Sequence, residues 1–319
     1  MGIFARLLEA FPPQVFQAAI ATFTFSLAYF HRLGKSESPS GGAECWPSSP
    51  PPDHAIEGEI SLVRAIITHG IGLEKRELEA LDYEALEKKV SLATVAIEED
   101  KLLHAVAEAV AGAGPWGVSM EMVACISGLS KSGLYAHFKS KRDMLVQVFV
   151  TEFDRIIDFA EESMKGASAA AERLYLAIFA ICDYLRSRPD IIIALDWLRT
   201  RRFMLSEKKE QEVPSRIYRI FGGIRFSPDF ESQPPDEEWL PAWILFLIVN
   251  SLMTSAKSNS NAQDYREWIQ SLRGRRQPVS REKFAKLPNE TFRNLYRFIA
   301  RGIQDFTPQG DGRALAGQL

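Results

Sequence analysis

Between Ser119 and Lys141 the chain carries hydroxyl, basic and aromatic side chains of the kinds that contact the phosphates and base edges of DNA. No acidic residue occurs between Leu129 and Arg142, although the chain of 319 residues has a formal net charge of -3. Positive charge concentrated in one segment of an acidic protein favours phosphate contacts over general adhesion. The candidate DNA-binding residues are Ser119, Ser130, Lys131, Ser132, Gly133, Tyr135, His137, Lys139 and Lys141.

The pattern around these residues predicts a helix-turn-helix followed by an anchoring helix. Ser119 is placed to cap a short amphipathic helix that continues to Ile126, because a serine hydroxyl accepts from the free amides of a first helical turn. Gly128 supplies a tight turn, and Ser130 caps a second short helix. Ser140 caps the longer helix that follows. Such a unit places its second helix in the major groove of DNA.

This segment resembles the DNA-binding unit of the TetR family of transcriptional repressors. The matching residues are Ala124, Gly128-Leu129-Ser130 and the run from Gly133 to Lys141, GLYAHFKSK. The resemblance implies base contacts from Ser130, Lys131, Ser132 and Gly133, and phosphate contacts from Tyr135, His137 and Lys141. The chain departs from the family at 114–119, GPWGVS, where the family has a Gly-aromatic-x-x-Thr-Ser/Thr run.

The resemblance also implies the fold class, which is all-α and TetR-like, with a three-helix DNA-binding domain followed by a helical sensor and dimerisation domain. Unlike the family's usual order, the DNA-binding domain does not begin the chain. The expected domains are an N-terminal helix pair at 1–73 with a disordered linker at 34–54, a charged connecting helix at 74–95, the DNA-binding domain at 96–147, the ligand-binding and dimerisation domain at 148–306, and a tail at 307–319.

The two ends of the chain contain similar segments. Residues 60–71, ISLVRAIITHGI, align with residues 292–303, FRNLYRFIARGI, and a proline-initiated apolar helix and a loop precede each. Residues 239–257 are apolar nearly all round, so that helix must be covered on both sides. Together with 290–306 it resembles the last two helices of the family, which form the dimer interface.

One hypothesis is that residues 1–73 are the remnant of a preceding sensor domain, and that this helix pair packs on the C-terminal pair of its own chain or on a partner. The alternative is coincidence, because amphipathic helices share the i, i+3, i+4 spacing by necessity.

For the sensor, the sequence offers only aromatic and polar candidates for binding a flat or lipid-like effector. They are Phe179, Asp183, Tyr184, Trp197, Trp243, Phe246 and Asn250. Ordinary core packing is the alternative for each of them, since buried aromatic side chains at helical spacing are common in any helical core.

Composition and motifs argue against other classes of protein. The three cysteines share no CxxC spacing, so we expect no disulfide framework, no metal site and a cytoplasmic location. Neither a His-x-x-x-His motif, a Gly-x-Ser-x-Gly motif nor a glycine-rich phosphate loop occurs, so we expect neither an enzyme nor a bound cofactor. The uncharged stretch 10–30 contains two prolines and several polar residues, which favours a helix buried against protein over a membrane anchor.

The sequence therefore predicts a ligand-responsive transcriptional regulator. It would bind a roughly palindromic double-stranded DNA operator as a homodimer or a pseudo-symmetric unit, and a small-molecule effector would release this repressor. The alternative is an interaction module that kept the fold and lost DNA binding, motivated by the modest basic charge and the acidic segment 74–100. A third possibility, tethering to a membrane through 10–30, is weaker.

Overall fold

The computed structural model describes residues 12–36, 53–95, 100–192, 220–221, 224, 226, 239–257 and 281–306, which contain helices and no strand. In these ranges the structure has the all-α class that the sequence predicts. The helices are α1 (Pro13–Ser36), α2 (Asp53–His69), α3 (Lys75–Glu79), α4 (Tyr83–Val95), α5 (Lys101–Gly117), α6 (Met120–Ser127), α7 (Lys131–His137), α8 (Lys141–Ser163), α9 (Ala170–Ser187), α10 (Trp239–Lys257), α11 (Arg281–Ala285) and α12 (Asn289–Arg301), with a 3₁₀ turn at Gly302–Phe306.

The chain divides into two compact units. The first, here called the terminal unit, comprises residues 1–81, 223–250 and 293–319. The second, the central unit, comprises residues 82–222 and 251–292. Residues 223–250 and 293–319 thus share a unit with residues 1–81. The division into domains given by the sequence stays a prediction.

The central unit contains a small helical core around α5, α6 and α7. Its buried side chains come from all three helices and from the start of α8, and include Val106, Val110, Val123, Leu134, Phe138 and Leu145. Helix α9 packs on α8 and α4, and nearly all of its residues from Ala171 to Leu185 are buried. Burial around most of α9 explains why it shows no polar face.

Two expected segments differ in detail. The connecting helix expected at 74–95 is two helices, α3 and α4, because the chain turns at Ala80 and the Asp82 carboxylate accepts from the Ala85 amide at 3.1 Å. The linker expected at 34–54 is shorter, since α1 continues to Ser36 and α2 begins at Asp53. Residues 37–52 and the tail 307–319 lie outside the described residues.

Helix α10 contains the one stretch in the described ranges, Trp239–Ala256, that is long and apolar enough to cross a membrane, judged by length and composition alone. Two thirds of it, 67%, is buried inside the fold. Trp239 and Trp243 are fully buried and stack on each other, with ring centroids 5.5 Å apart. These contacts are those of a core helix.

Candidate nucleic-acid interface

Each short helix of the helix-turn-helix begins at a serine, as the sequence predicts. The Ser119 hydroxyl accepts from the Met122 amide at 3.2 Å at the start of α6. The Ser130 hydroxyl accepts from the Gly133 amide at 3.0 Å at the start of α7. Between the two helices, Gly128 has a positive φ of 71° and ends α6. The caps and the turn hold α6 and α7 in place with local hydrogen bonds.

Helix α8 has a reciprocal cap that ties it to the end of α7. The Ser140 hydroxyl accepts from the Asp143 amide at 3.1 Å, and the Asp143 carboxylate accepts from the Lys139 amide at 2.9 Å. The second bond differs from that of a capping box, in which the acidic side chain accepts from the amide of the capping residue itself. The backbone around Lys139 is therefore set by α8.

Helix α7 is amphipathic, with its apolar side in the core and its polar side free. Leu134 and, just after the helix, Phe138 are buried. The predicted contact residues Ser130, Lys131, Ser132, Tyr135, His137 and Lys139 are exposed, whereas Ser119, Gly133 and Lys141 are half-buried. Tyr135 retains 48% of its surface although it is aromatic. An exposed face with hydroxyl, imidazole, phenol and ammonium groups can donate to phosphates and base edges.

Gly133 also has a reason within the fold to be a glycine. A Cβ atom at this position would lie 3.2 Å from the Ser130 hydroxyl oxygen, tighter than ordinary contact. That hydroxyl caps the helix and lies 3.1 Å from the Ser132 hydroxyl. Leu129, in the turn between α6 and α7, retains 38% of its surface.

Lys131 forms an ion pair with Glu121 of α6, a contact that was not expected from the sequence. The hydrogen bond from Lys131 lowers the pKa of Glu121 to about 2, and the same contact raises the pKa of Lys131. The ammonium group to which the sequence assigns a base contact is therefore paired with Glu121 in this structure. The sequence did contain one indication of this ion pair, because Glu121 is the only acidic residue of α6.

Lys141 donates from Nζ to the Trp116 carbonyl oxygen at 2.8 Å. Trp116 lies at the end of α5, in the GPWGVS stretch, and retains 65% of its surface. The contact holds the Lys141 side chain against the end of α5. Because the acceptor is a main-chain carbonyl, the bond does not depend on the side chain at position 116.

A polar network connects α5, α8 and α9 within the central unit. Asp100 caps α5 by accepting from the amides of Leu102 and Leu103, and its carboxylate lies 3.5 Å from the Arg155 guanidinium of α8. Glu152, one turn earlier on α8, accepts from the Tyr184 hydroxyl of α9 at 2.8 Å. Burial raises the pKa of both Glu152 and Tyr184, so the tyrosine remains a donor at neutral pH.

The predicted effector residues are divided between the two units. Phe179, Asp183 and Tyr184 belong to the central unit, whereas Trp243, Phe246 and Asn250 belong to the terminal unit. Several of their polar groups have protein partners, since Asp183 pairs with Arg186 and Trp243 donates to the Thr22 hydroxyl at 3.1 Å. Trp197 lies outside the described residues.

Comparison with known proteins places the helix-turn-helix in a family. Residues 102–148 match the sequence model described as bacterial regulatory proteins, tetR family. No curated protein matches the chain.

Two similar solved structures are those of regulators. One is a TetR family transcriptional regulator, PfmR, from Thermus thermophilus, with 18% identity and a TM-score of 0.42 over 65% of this chain and 97% of that one. The other is the fatty acid degradation regulator FadR from Bacillus halodurans, with 13% identity and a TM-score of 0.35 over 64% and 97%.

The family match begins in α5 and ends in α8, so it covers the capped helices and the exposed face described above. The segment from α5 to the start of α8 is therefore similar in sequence to the DNA-binding segment of the tetR family of bacterial regulatory proteins.

Proposed function

We propose that this regulator is a repressor that binds a roughly palindromic operator through α7 and is released from it by a small-molecule effector. The observation that carries the proposal is the exposed polar face of α7 on a buried apolar core. Ser130, Lys131, Ser132 and Gly133, at the start of α7, are the proposed base-reading residues. Tyr135, His137, Lys139 and Lys141 are the proposed phosphate contacts, and Ser119 contributes from the start of α6.

The proposed response to an effector runs through α8. This helix starts in the DNA-binding unit at Ser140, and its middle is joined to α9 through Glu152 and Tyr184. Arg155 joins the same part of α8 to Asp100 at the start of α5. A movement of α9 would therefore change the position of α8 and the orientation of α7.

The effector has to favour one arrangement of these helices, because a ligand shifts an equilibrium only by its difference in affinity for the two states. The proposed sensor residues remain Phe179, Asp183, Tyr184, Trp197, Trp243, Phe246 and Asn250. Their aromatic and apolar character fits a flat or lipid-like effector, and the cytoplasm is the proposed location.

Selection from a pool of random DNA duplexes at low salt would test DNA binding. We expect the full-length protein to enrich a sequence with two inverted half-sites. The affinity for this duplex should fall steeply with salt concentration, because phosphate contacts release counterions. A Lys165→Ala variant is the control, since this exposed lysine lies outside the DNA-binding unit.

Failure of the selection would contradict the proposal. Binding that is weak, unselective and equal for the wild type and for a Tyr135→Ala, Lys141→Ala double variant would instead favour the interaction module without DNA binding.

A further inference from the structure

The terminal unit contains two matching glycines at corresponding helix ends. Gly70 follows α2 with a φ of 61°, and Gly302 follows α12 with a φ of 64°. They occupy the same position in the aligned segments 60–71 and 292–303. Both are buried, and both have a backbone conformation that side chains with a Cβ atom rarely adopt.

Each glycine lies against the backbone of the other segment at corresponding residues. A Cβ atom on Gly70 would lie 2.4 Å from the Ile299 carbonyl oxygen, and one on Gly302 would lie 2.5 Å from the Ile67 carbonyl oxygen. Ile67 and Ile299 are equivalent in the alignment, as are Thr68 and Ala300, which also contact the opposite glycine. The contact is therefore reciprocal.

Hydrogen bonds fix this close approach. The amide of Ile71 donates to the Ile299 carbonyl at 2.8 Å, and the amide of Gly72 donates to the Ala300 carbonyl at 3.1 Å. The Arg301 guanidinium donates to the Leu73 carbonyl at 2.7 Å. His69 and Gln304 are joined by their side chains, with Nδ1 and Oε1 2.9 Å apart.

The helices before these segments belong to the same unit. Phe25 of α1 packs on Trp239 and Phe246 of α10, with ring centroids 5.5 and 5.4 Å away. Thr22 of α1 accepts from the Trp243 indole. The helix pair α1 and α2 thus contacts α10 and the end of α12. The pair α1 and α2 and the pair α10 and α12 each consist of an apolar helix with a proline in its first turn and a second helix that is followed by a glycine.

A two-fold relation is the simplest account of these contacts. When a segment contacts its own copy, residue i meets residue j and residue j meets residue i, as in a symmetric dimer interface. Shared helical periodicity explains why apolar residues recur in the two segments, but it does not explain why each glycine meets the same backbone position of the other segment. The likeness fades at the beginning of the segments, where Ile60 retains 59% of its surface and Phe292 is buried.

We infer that α1 and α2 are a second copy of the helix pair α10 and α12, and that this copy pairs with the C-terminal pair of its own chain in the manner of a homodimer interface. Pairing with a copy on the same chain is intramolecular, so its extent does not depend on protein concentration. The surface is therefore occupied in cis, and the purified chain does not dimerise through it. This inference is independent of the proposed effector. It requires that two chains on inverted half-sites associate through another surface or through the DNA.

Engineered cysteines at His69 and Gln304 test the pairing in the full-length chain. Cys45 and Cys125 are first replaced by serine, while Cys182 is buried and stays. We expect the His69→Cys, Gln304→Cys variant to form a disulfide or to react with a short bis-maleimide within one chain, with a yield that does not depend on protein concentration. A matched control is Arg64→Cys with Gln304→Cys, because Arg64 is exposed on α2 and lies away from the helix end.

Mixing distinguishes cis from trans pairing. The two single variants, His69→Cys and Gln304→Cys, are expressed together and treated in the same way, and we expect no cross-linked dimer. A cross-linked dimer in this mixture, or a light-scattering mass of two chains for the wild type that is lost with Gln304→Arg, would overturn the inference.

The glycine itself gives an independent check. In the cysteine pair background, Gly302→Ala is expected to lower the yield of the intrachain cross-link about tenfold, because its Cβ atom meets backbone atoms. Gly166→Ala is the control, since Gly166 also has a positive φ, of 88°, but has open space around it. Equal yields for the two alanine variants would contradict the close approach on which the inference rests.

Discussion

The DNA-binding unit and the terminal unit are built by different kinds of interaction. In the DNA-binding unit, here α5 to the start of α8, serine hydroxyls accept from amides three residues away and Gly128 forms the turn. The candidate DNA-binding side chains of α7 are exposed. In the terminal unit, backbone groups of Gly70 and Gly302 contact each other's segments from opposite ends of the chain. The first kind of contact tolerates change on its exposed face, whereas the second leaves no room for one methyl group.

The largest expected effect is therefore in the terminal unit. We expect Gly70→Ala to lower the free energy of unfolding by about 3 kcal/mol, because the positive φ and a contact with backbone atoms both oppose a Cβ atom. Gly166→Ala, which has the strained φ without the contact, should cost about 1 kcal/mol. Thermal and urea unfolding would measure the difference, and equal losses would remove the distinction between the two glycines.

A smaller effect is expected on the exposed face of α7 and its neighbour. Tyr135→Ala with Lys141→Ala should weaken DNA binding by about 2 kcal/mol and reduce the salt slope by about 2, since each residue is a proposed phosphate contact. Stability should fall by about 1 kcal/mol at most, because Tyr135 is exposed and Lys141 loses one hydrogen bond, to the Trp116 carbonyl. Titrations of a labelled duplex at several salt concentrations measure both quantities. Unchanged binding would refute the phosphate roles.

Ser130 allows the structural and the DNA-binding roles to be separated. Ser130→Ala removes the cap of α7 and should cost about 1 kcal/mol of stability. Ser130→Asp restores a capping group but places a negative charge at the proposed DNA surface. We expect Ser130→Asp to unfold like the wild type and to lose DNA binding, as measured by circular dichroism and by anisotropy. If it binds DNA normally, Ser130 does not face the duplex.

The smallest expected effect concerns Glu121, which is exposed beside Lys131. Glu121→Gln releases Lys131 from its ion pair, so we expect roughly threefold tighter DNA binding and a steeper salt dependence, within the range of exposed ion pairs. Because the pKa of Glu121 is held at about 2, the ratio of the two affinities should stay constant from mildly acidic to neutral pH. Weaker binding by the variant would mean that Glu121 positions Lys131 for DNA.

The DNA-binding unit was largely predictable because its determinants are local. Ser119, Ser130 and Ser140 are caps in the structure as the sequence predicts, and Leu134 and Phe138 are buried beneath the exposed residues. The partners of Lys131 and Lys141 were not predictable. They are Glu121 and the Trp116 carbonyl, which depend on the angle between successive helices rather than on helical periodicity.

The sequence alone determined the all-α class, the helix-turn-helix with its likeness to the tetR family, and the caps of its helices. Capping and amphipathic periodicity act over one or two helical turns, so a local pattern is enough to encode them. It also contained the likeness between residues 60–71 and 292–303. Only the tertiary structure decided that these segments meet in one chain, and that Gly70 and Gly302 are glycines for the same steric reason. The contact between these segments joins residues more than 200 positions apart, and no local sequence pattern encodes a contact of that range.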